Sequence, residues 1–142
     1  MPIVGFGFDR INVERKQQFS KEDKINNSLK IYEVKETKLK TSDKNEEDAL
    51  TLLFEFGLDY GKAGILELKG HIIFYDSKDQ IKEIYDFWEK NKRLPTEFST
   101  HMFNFIMLKS TVRALSLEEE VGLPLHLRLP RFKVEKQQKQ AS

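Results

Sequence analysis

Histidine is the commonest metal ligand in proteins, and it occurs three times in this sequence, as His71, His101 and His126. A zinc site brings several such ligands together, usually at short characteristic spacings in the sequence. Here the three histidines fall in a predicted strand, a predicted helix and an extended segment, and no pair has a ligand spacing. The chain contains no cysteine, which excludes disulfides, thiol nucleophiles and thiolate metal sites. We therefore predict neither a bound metal nor a cofactor.

Two other short segments contain residue types that occur in phosphate-binding loops or in acid–base catalysis. Gly5–Gly7 has two of the glycines of a phosphate-binding loop, but not the third glycine or the following helix that would direct amide groups at a phosphate. Glu118–Glu120 lies in a predicted first helical turn, where carboxylates stabilise the helix end, and capping is favoured over acid–base catalysis. No Gly-x-Ser-x-Gly nucleophile motif occurs. The sequence thus predicts a protein that is not an enzyme and has no catalytic residues.

Charge and hydropathy narrow the possible partners. The 142 residues include 24 basic and 23 acidic residues, so the net charge of +1 creates no overall field for nucleic acid or anionic lipid. The sequence contains no run of eighteen apolar residues, so we predict no membrane-spanning helix. The N-terminal residues lack the pattern of a signal peptide. We expect a cytoplasmic protein without membrane insertion. Nucleic-acid binding stays a secondary hypothesis, carried by basic residues near the C-terminus: Arg128, Arg131, Lys133, Lys136 and Lys139.

The elements that must position these residues are four strands followed by two helices. Strand patterns cover about residues 3–15, with a bulge near Asp9, then 29–39, 50–58 and 65–74. Helices are predicted from Ser77 to about residue 91 and over 96–115, and a short turn begins at Ser116. The fold class is α+β, a four-stranded antiparallel sheet followed by two α-helices. We predict one domain over residues 1–134, with an extended arm over 123–130 and a disordered polar tail over 135–142.

The second predicted helix, over residues 96–115, is too apolar for an ordinary surface helix. One side carries Phe98, Met102, Phe105, Ile106 and Val112. The other side carries Phe103, Met107, Leu108 and Leu115. A helix that is apolar on two sides needs two surfaces to bury against, and one small domain supplies one. We therefore predict that Phe103, Met107, Leu108 and Leu115 form an interface between copies of the chain.

The order of four strands and two helices, with a strongly apolar second helix, resembles the SecB-like protein-export chaperone family. Four features carry the resemblance: the long connection over residues 16–28, the β-hairpin ending in residues 66–70, Leu94-Pro95 between the helices, and the stretch Phe103–Ile106 in the second helix. The resemblance is one of topology and pattern and covers about residues 4–117. The basic tail departs from the acidic balance of the bacterial proteins.

This resemblance implies a homo-oligomer, a dimer or tetramer, that holds unfolded polypeptides in apolar grooves without ATP. It implies peptide-binding roles for Phe19, in the long connection, and for Leu94 and Phe98, between the helices. Two alternatives stay open on the residues alone. One is a small interaction or scaffold protein for a single folded partner, and the other is a nucleic-acid-binding module.

Overall fold

The computed structural model of the chain describes residues 3–40 and 46–127, which form four strands followed by two helices. This architecture confirms the predicted α+β class. The strands are β1 (Ile3–Arg15), β2 (Asn26–Lys40), β3 (Glu46–Asp59) and β4 (Gly64–Tyr75). A short 3₁₀ turn, Gly61–Ala63, joins β3 to β4, and the helices are α1 (Lys78–Asn91) and α2 (Thr96–Val121).

All strand pairs are antiparallel, in the order β1-β4-β3-β2, so the two most apolar strands occupy the centre. Alternation in β3 and β4 places one set of side chains on the face that the helices cover. Leu52 lies opposite Ile72, and Phe56 lies opposite Leu68, all of them fully buried. The register of β1 shifts between Phe8 and Arg10, which confirms the bulge predicted near Asp9.

Glycine is needed at position 70 of β4 because the backbone of β1 and the ring of Phe54 in β3 both lie close to it. Phe54 lies opposite Gly70, and its ring stacks on Phe6 of β1 at a centroid distance of 5.5 Å. A Cβ atom on residue 70 would lie 2.6 Å from Cζ of Phe54 and 2.3 Å from the carbonyl oxygen of Gly7. Any side chain there would displace the ring or part the strands.

Helix α1 begins and ends where its sequence predicts. The Ser77 hydroxyl accepts a hydrogen bond from the backbone N–H of Gln80 at 3.4 Å, which satisfies one free amide of the first turn. At the other end Lys92 adopts a left-handed conformation with φ of 53°, and its N–H donates to the carbonyl oxygen of Trp88 at 2.7 Å. The buried stripe of α1 consists of Ile81, Ile84 and Trp88.

Helix α2 is longer than predicted. The predicted end near residue 115 and the new turn from Ser116 are wrong, because α2 continues without interruption to Val121. The reason is that Ala114 and Leu117 continue its buried stripe and pack against the sheet. Gly122, with φ of 77°, then ends the helix.

The C-terminal arm, residues 123–127, follows α2 without helix or strand and bends at His126 and Leu127. It packs through Leu123, which is buried in the cluster around Phe56 and Tyr60. The rest of the predicted arm and the predicted tail over 135–142 lie outside the described residues.

Candidate functional site

Phe19 lies on the connection between β1 and β2, next to the end of α2. Its half-buried ring packs against the apolar cluster at that end of the sheet. A surface depression forms there, which we call the Phe19 depression. It is lined by Gln18, Phe19, Glu118, Glu119, Gly122, Leu123, Pro124 and Leu125. Leu125 is 40% exposed and the neighbouring Leu127 is 48% exposed, so the rim presents apolar side chains to solvent.

Hydrogen bonds hold the β1–β2 connection in place. The N–H of Ser20 donates to the Asp23 carboxylate at 3.0 Å, and the N–H of Lys62 donates to its other oxygen at 3.3 Å. The bond from Ser20 is the main reason that the pKa of Asp23 is lowered. The N–H of Lys16 donates to the carbonyl oxygen of Ala63 at 2.7 Å. Phe19 therefore sits on a loop that is tied to the β3–β4 turn at two points.

A buried polar network lies under the depression. Glu118 is fully buried, and its carboxylate accepts a hydrogen bond from the Tyr60 hydroxyl at 2.6 Å. The same carboxylate accepts from Nδ1 of His126 at 2.9 Å and from the backbone N–H of His126 at 3.3 Å. Burial, followed by the bond to Glu118, raises the pKa of Tyr60 well above its ordinary range. This network attaches the C-terminal arm to the sheet.

The structure separates the three predicted peptide-binding residues. Phe19 belongs to the cluster at the Tyr60 end of the sheet, whereas Leu94 and Phe98 belong to the other cluster. Leu94 is 5% exposed and Phe98 is 3% exposed, and the Phe98 ring contacts Phe74 edge-on at 4.7 Å. Leu94 and Phe98 thus fill the monomer core, and a peptide-binding role for all three residues stays a prediction.

The predicted interface residues occupy different parts of α2. Leu108 is 63% exposed and Leu115 is partly exposed, so both are available to a partner. Phe103 and Met107 are half-buried, and Met107 packs against the cluster at the Tyr60 end. Val112, which the sequence assigned to the buried side, is 62% exposed. The assignment was wrong because the buried stripe follows Phe98, Met102, Ile106, Ser110 and Ala114.

The three histidines lie in separate surroundings. Nδ1 of His71 lies 2.9 Å from the Asp9 carboxylate on the open face of the sheet, and His126 is bound to Glu118. His101 is exposed on α2. Within residues 3–40 and 46–127, no group of three or more histidine or acidic side chains is placed to hold a metal ion. Among the same residues, no helix has the length and hydrophobicity to span a membrane.

The sequence interpretation missed the buried role of Glu118, which it treated as part of a capping cluster. Tyr60 is 58 positions away in the chain and His126 is eight positions away. The capping pattern does not distinguish Glu118 from Glu119 and Glu120, which are exposed. The one available signal was the helical spacing that continues from Ala114 to Glu118.

No protein-family model matches the sequence, and a comparison with curated proteins finds no significant match. Among solved structures, the chain is similar to a SecB-like chaperone of Mycobacterium tuberculosis in complex with a ChAD peptide from the HigA1 antitoxin. The TM-score is 0.48 and the sequence identity is 10%, over 93% of this chain and 90% of that chain. A likeness at this level identifies neither a family nor a function.

Proposed function

We propose that this protein is an ATP-independent holdase that acts as a homo-oligomer in the cytoplasm and binds apolar segments of unfolded or aggregation-prone polypeptides. The observation that supports the proposal is the Phe19 depression. It places the exposed side chains of Leu125 and Leu127 beside Phe19. Backbone N–H groups of this surface are hydrogen-bonded to the carboxylates of Asp23 and Glu118. The sequence resemblance to SecB-like chaperones supports the same class of function.

The chemistry of the depression suits an extended apolar client. Phe19, Leu125 and the neighbouring Leu127 provide apolar surface. Each Å² of this surface that a client side chain covers is removed from water at a gain of about 25 cal/mol. Because the apolar contacts are not directional, many client sequences are accepted. By binding the unfolded chain, the protein would lower the free concentration that is available for aggregation.

The test is suppression of aggregation of a chemically denatured model substrate at stoichiometric protein. Leu125→Glu should reduce suppression, because a carboxylate replaces apolar surface on the rim. Ile11→Glu is the matched control, since Ile11 is 43% exposed on β1, outside the depression, and Leu125 is 40% exposed. Lack of suppression by the wild-type protein in any oligomeric state would refute the proposal.

Two experiments separate the proposal from the alternatives. A holdase binds several unrelated unfolded peptides, whereas a scaffold for one folded partner binds none of them. A nucleic-acid-binding module would bind single- or double-stranded probes with an affinity that falls steeply as salt rises, because phosphate contacts release counterions.

A further inference from the structure

The outward face of α2 carries a regular repeat that neither the core nor the Phe19 depression uses as a whole. Its members are His101, Phe105, Leu108, Val112, Leu115 and Glu119, which we call the α2 seam. Successive members are separated by four, three, four, three and four residues. This alternation is the spacing by which two helices pack along a shared seam. The four central members are apolar, and the two end members are polar.

The seam is accessible in the folded chain. Leu108 and Val112, at its centre, are 63% and 62% exposed, and they are the two most exposed large apolar side chains among the described residues. Phe105 and Leu115 are partly exposed on either side of them. The opposite side of α2 is buried against the sheet through Met102, Ile106 and Ala114. Helix α2 therefore has one side in the core and an apolar side open to solvent.

We propose that the α2 seam pairs with the α2 seam of a second copy of this chain, in antiparallel orientation about a two-fold axis at the level of Ser110. This inference rests on the proposed function, because it names the interface of the proposed homo-oligomer. In a two-fold contact each residue meets its counterpart at equal distance from the axis. Leu108 then faces Val112 of the other copy, and Phe105 faces Leu115.

Hydrogen-bonding complementarity at the ends of the seam, together with the avoidance of like charges, selects this orientation. The antiparallel pairing places His101 of one copy against Glu119 of the other, twice in each dimer. An imidazole N–H can donate to the carboxylate, and both side chains are exposed in the single chain. Parallel pairing would instead place Glu119 against Glu119, and like charges in contact disfavour association.

Lys109 lies close to the axis in this arrangement and would be near its own counterpart. Its Nζ atom is 5.7 Å from the centroid of the Phe105 ring in the same chain, so the ammonium is held beside the ring at the edge of the seam. The aliphatic stem of Lys109 then extends the apolar contact, and the charge stays in water.

The orientation can be tested by disulfide formation, because the natural chain contains no cysteine. Leu108→Cys and Val112→Cys are made as separate proteins, mixed in equal amounts and oxidised. Random encounter in an equal mixture gives the mixed disulfide at twice the rate of either like-with-like disulfide. Antiparallel pairing predicts that the mixed disulfide exceeds this twofold ratio by a wide margin. Predominance of like-with-like disulfides would overturn the antiparallel arrangement. Products in the random proportion, two mixed disulfides to one of each like-with-like disulfide, would overturn a specific seam.

Self-association is measured by sedimentation across a concentration series. Leu108→Glu should weaken dimerisation by at least about tenfold, because the two-fold axis places the new carboxylate in the interface twice. Val4→Glu is the matched control, since Val4 is 53% exposed on β1 and should leave the mass unchanged. Circular dichroism confirms that each variant is folded. A wild-type protein that stays monomeric, or an unchanged mass for Leu108→Glu, would overturn the inference.

The polar ends are tested by a charge exchange. Glu119→Lys should weaken dimerisation by up to about fivefold for each of the two contacts, and His101→Glu in the same chain should restore it. Failure of the second substitution to restore the dimer would show that the two residues do not meet.

The dimer mass is measured without any client, so these results are separate from the holdase test. A dimer that suppresses no aggregation would refute the proposed function but would not contradict the proposed α2 interface.

Discussion

The hydroxyl of Tyr60 donates a hydrogen bond of 2.6 Å to the fully buried carboxylate of Glu118, and it joins the β3–β4 turn to the last turns of α2. His126 donates to the same carboxylate through its ring and its backbone, so three donors surround one buried acid. A buried carboxylate is tolerated only when donors replace the water that it has lost. This relationship ties the C-terminal arm, and with it the Phe19 depression, to the sheet.

Tyr60→Phe should lower the free energy of unfolding at pH 7 by about 1–3 kcal/mol, because the Glu118 carboxylate loses a donor while it stays buried. Denaturant titration measures the change. Tyr32→Phe is the control, since Tyr32 is 42% exposed on β2. Equal stability of the wild type and Tyr60→Phe would show that the bond contributes nothing to folding.

Alkaline pH should remove part of the wild-type stability through the same residue. Burial, and then Glu118, raise the pKa of Tyr60 in the folded state, whereas an unfolded tyrosine has a pKa of about 10. The stabilisation is therefore complete below about pH 10 and is lost above it, where only the unfolded chain ionises readily. Tyr60→Phe should lose less stability between neutral pH and pH values above 10 than the wild type. A parallel decline in both proteins would contradict this assignment.

Gly70→Ala should destabilise the fold by more than about 2 kcal/mol, because the added Cβ meets the Gly7 carbonyl oxygen and the Phe54 ring. Gly57→Ala is the matched control in the neighbouring strand. Its added Cβ would lie 2.9 Å from the hydroxyl of Ser28, a side-chain atom that can rotate away. We expect a change of less than about 1 kcal/mol for Gly57→Ala. Thermal unfolding measures the stability of both variants. Similar losses of stability for Gly70→Ala and Gly57→Ala would contradict the close approach at Gly70.

Phe98→Ala should cost about 3–5 kcal/mol of stability, because it removes a ring from the core beside Phe74. Phe19→Ala should cost less, since the ring of Phe19 is half-buried at the surface. Measuring both stability and aggregation suppression for Phe98→Ala and Phe19→Ala distinguishes a role in core packing from a role in client binding. An unchanged unfolding midpoint for Phe98→Ala, with reduced suppression, would instead favour the peptide-binding role predicted from the sequence.

Ser77→Ala should cost about 1 kcal/mol, because it removes the acceptor for the Gln80 N–H at the start of α1. Ser116→Ala is the control with a different expected sign. Ser116 lies within the uninterrupted α2, so alanine should leave stability unchanged or raise it by up to about 0.5 kcal/mol. A loss at Ser116 equal to that at Ser77 would mean that a helix begins there, as the sequence pattern suggested.

The strands and α1 were predictable because their signals are local. Alternation from Leu50 to Leu58 predicted β3, and the register confirms that these residues share one face. Ser77 predicted the start of α1 through a contact with a residue three positions away. Ser116 had a similar local pattern and misled, because its neighbours Ala114 and Leu117 pack against the sheet and keep the helix intact. A local capping pattern indicates where a helix could begin or end, and tertiary packing determines whether it does.

The sequence alone was sufficient for the α+β class, the order of the elements and the surplus of apolar residues on α2, because periodicity and turn chemistry act between near neighbours. It could not show that Val112 faces water or that Leu94 and Phe98 lie in the core. It also could not show that Tyr60 and His126 are hydrogen-bonded to Glu118. Each of these facts depends on which distant segment covers a given face, and Tyr60 reaches Glu118 across 58 positions of chain. Burial is a property of such long-range packing, so only the folded structure assigns α2 a core side and an open side.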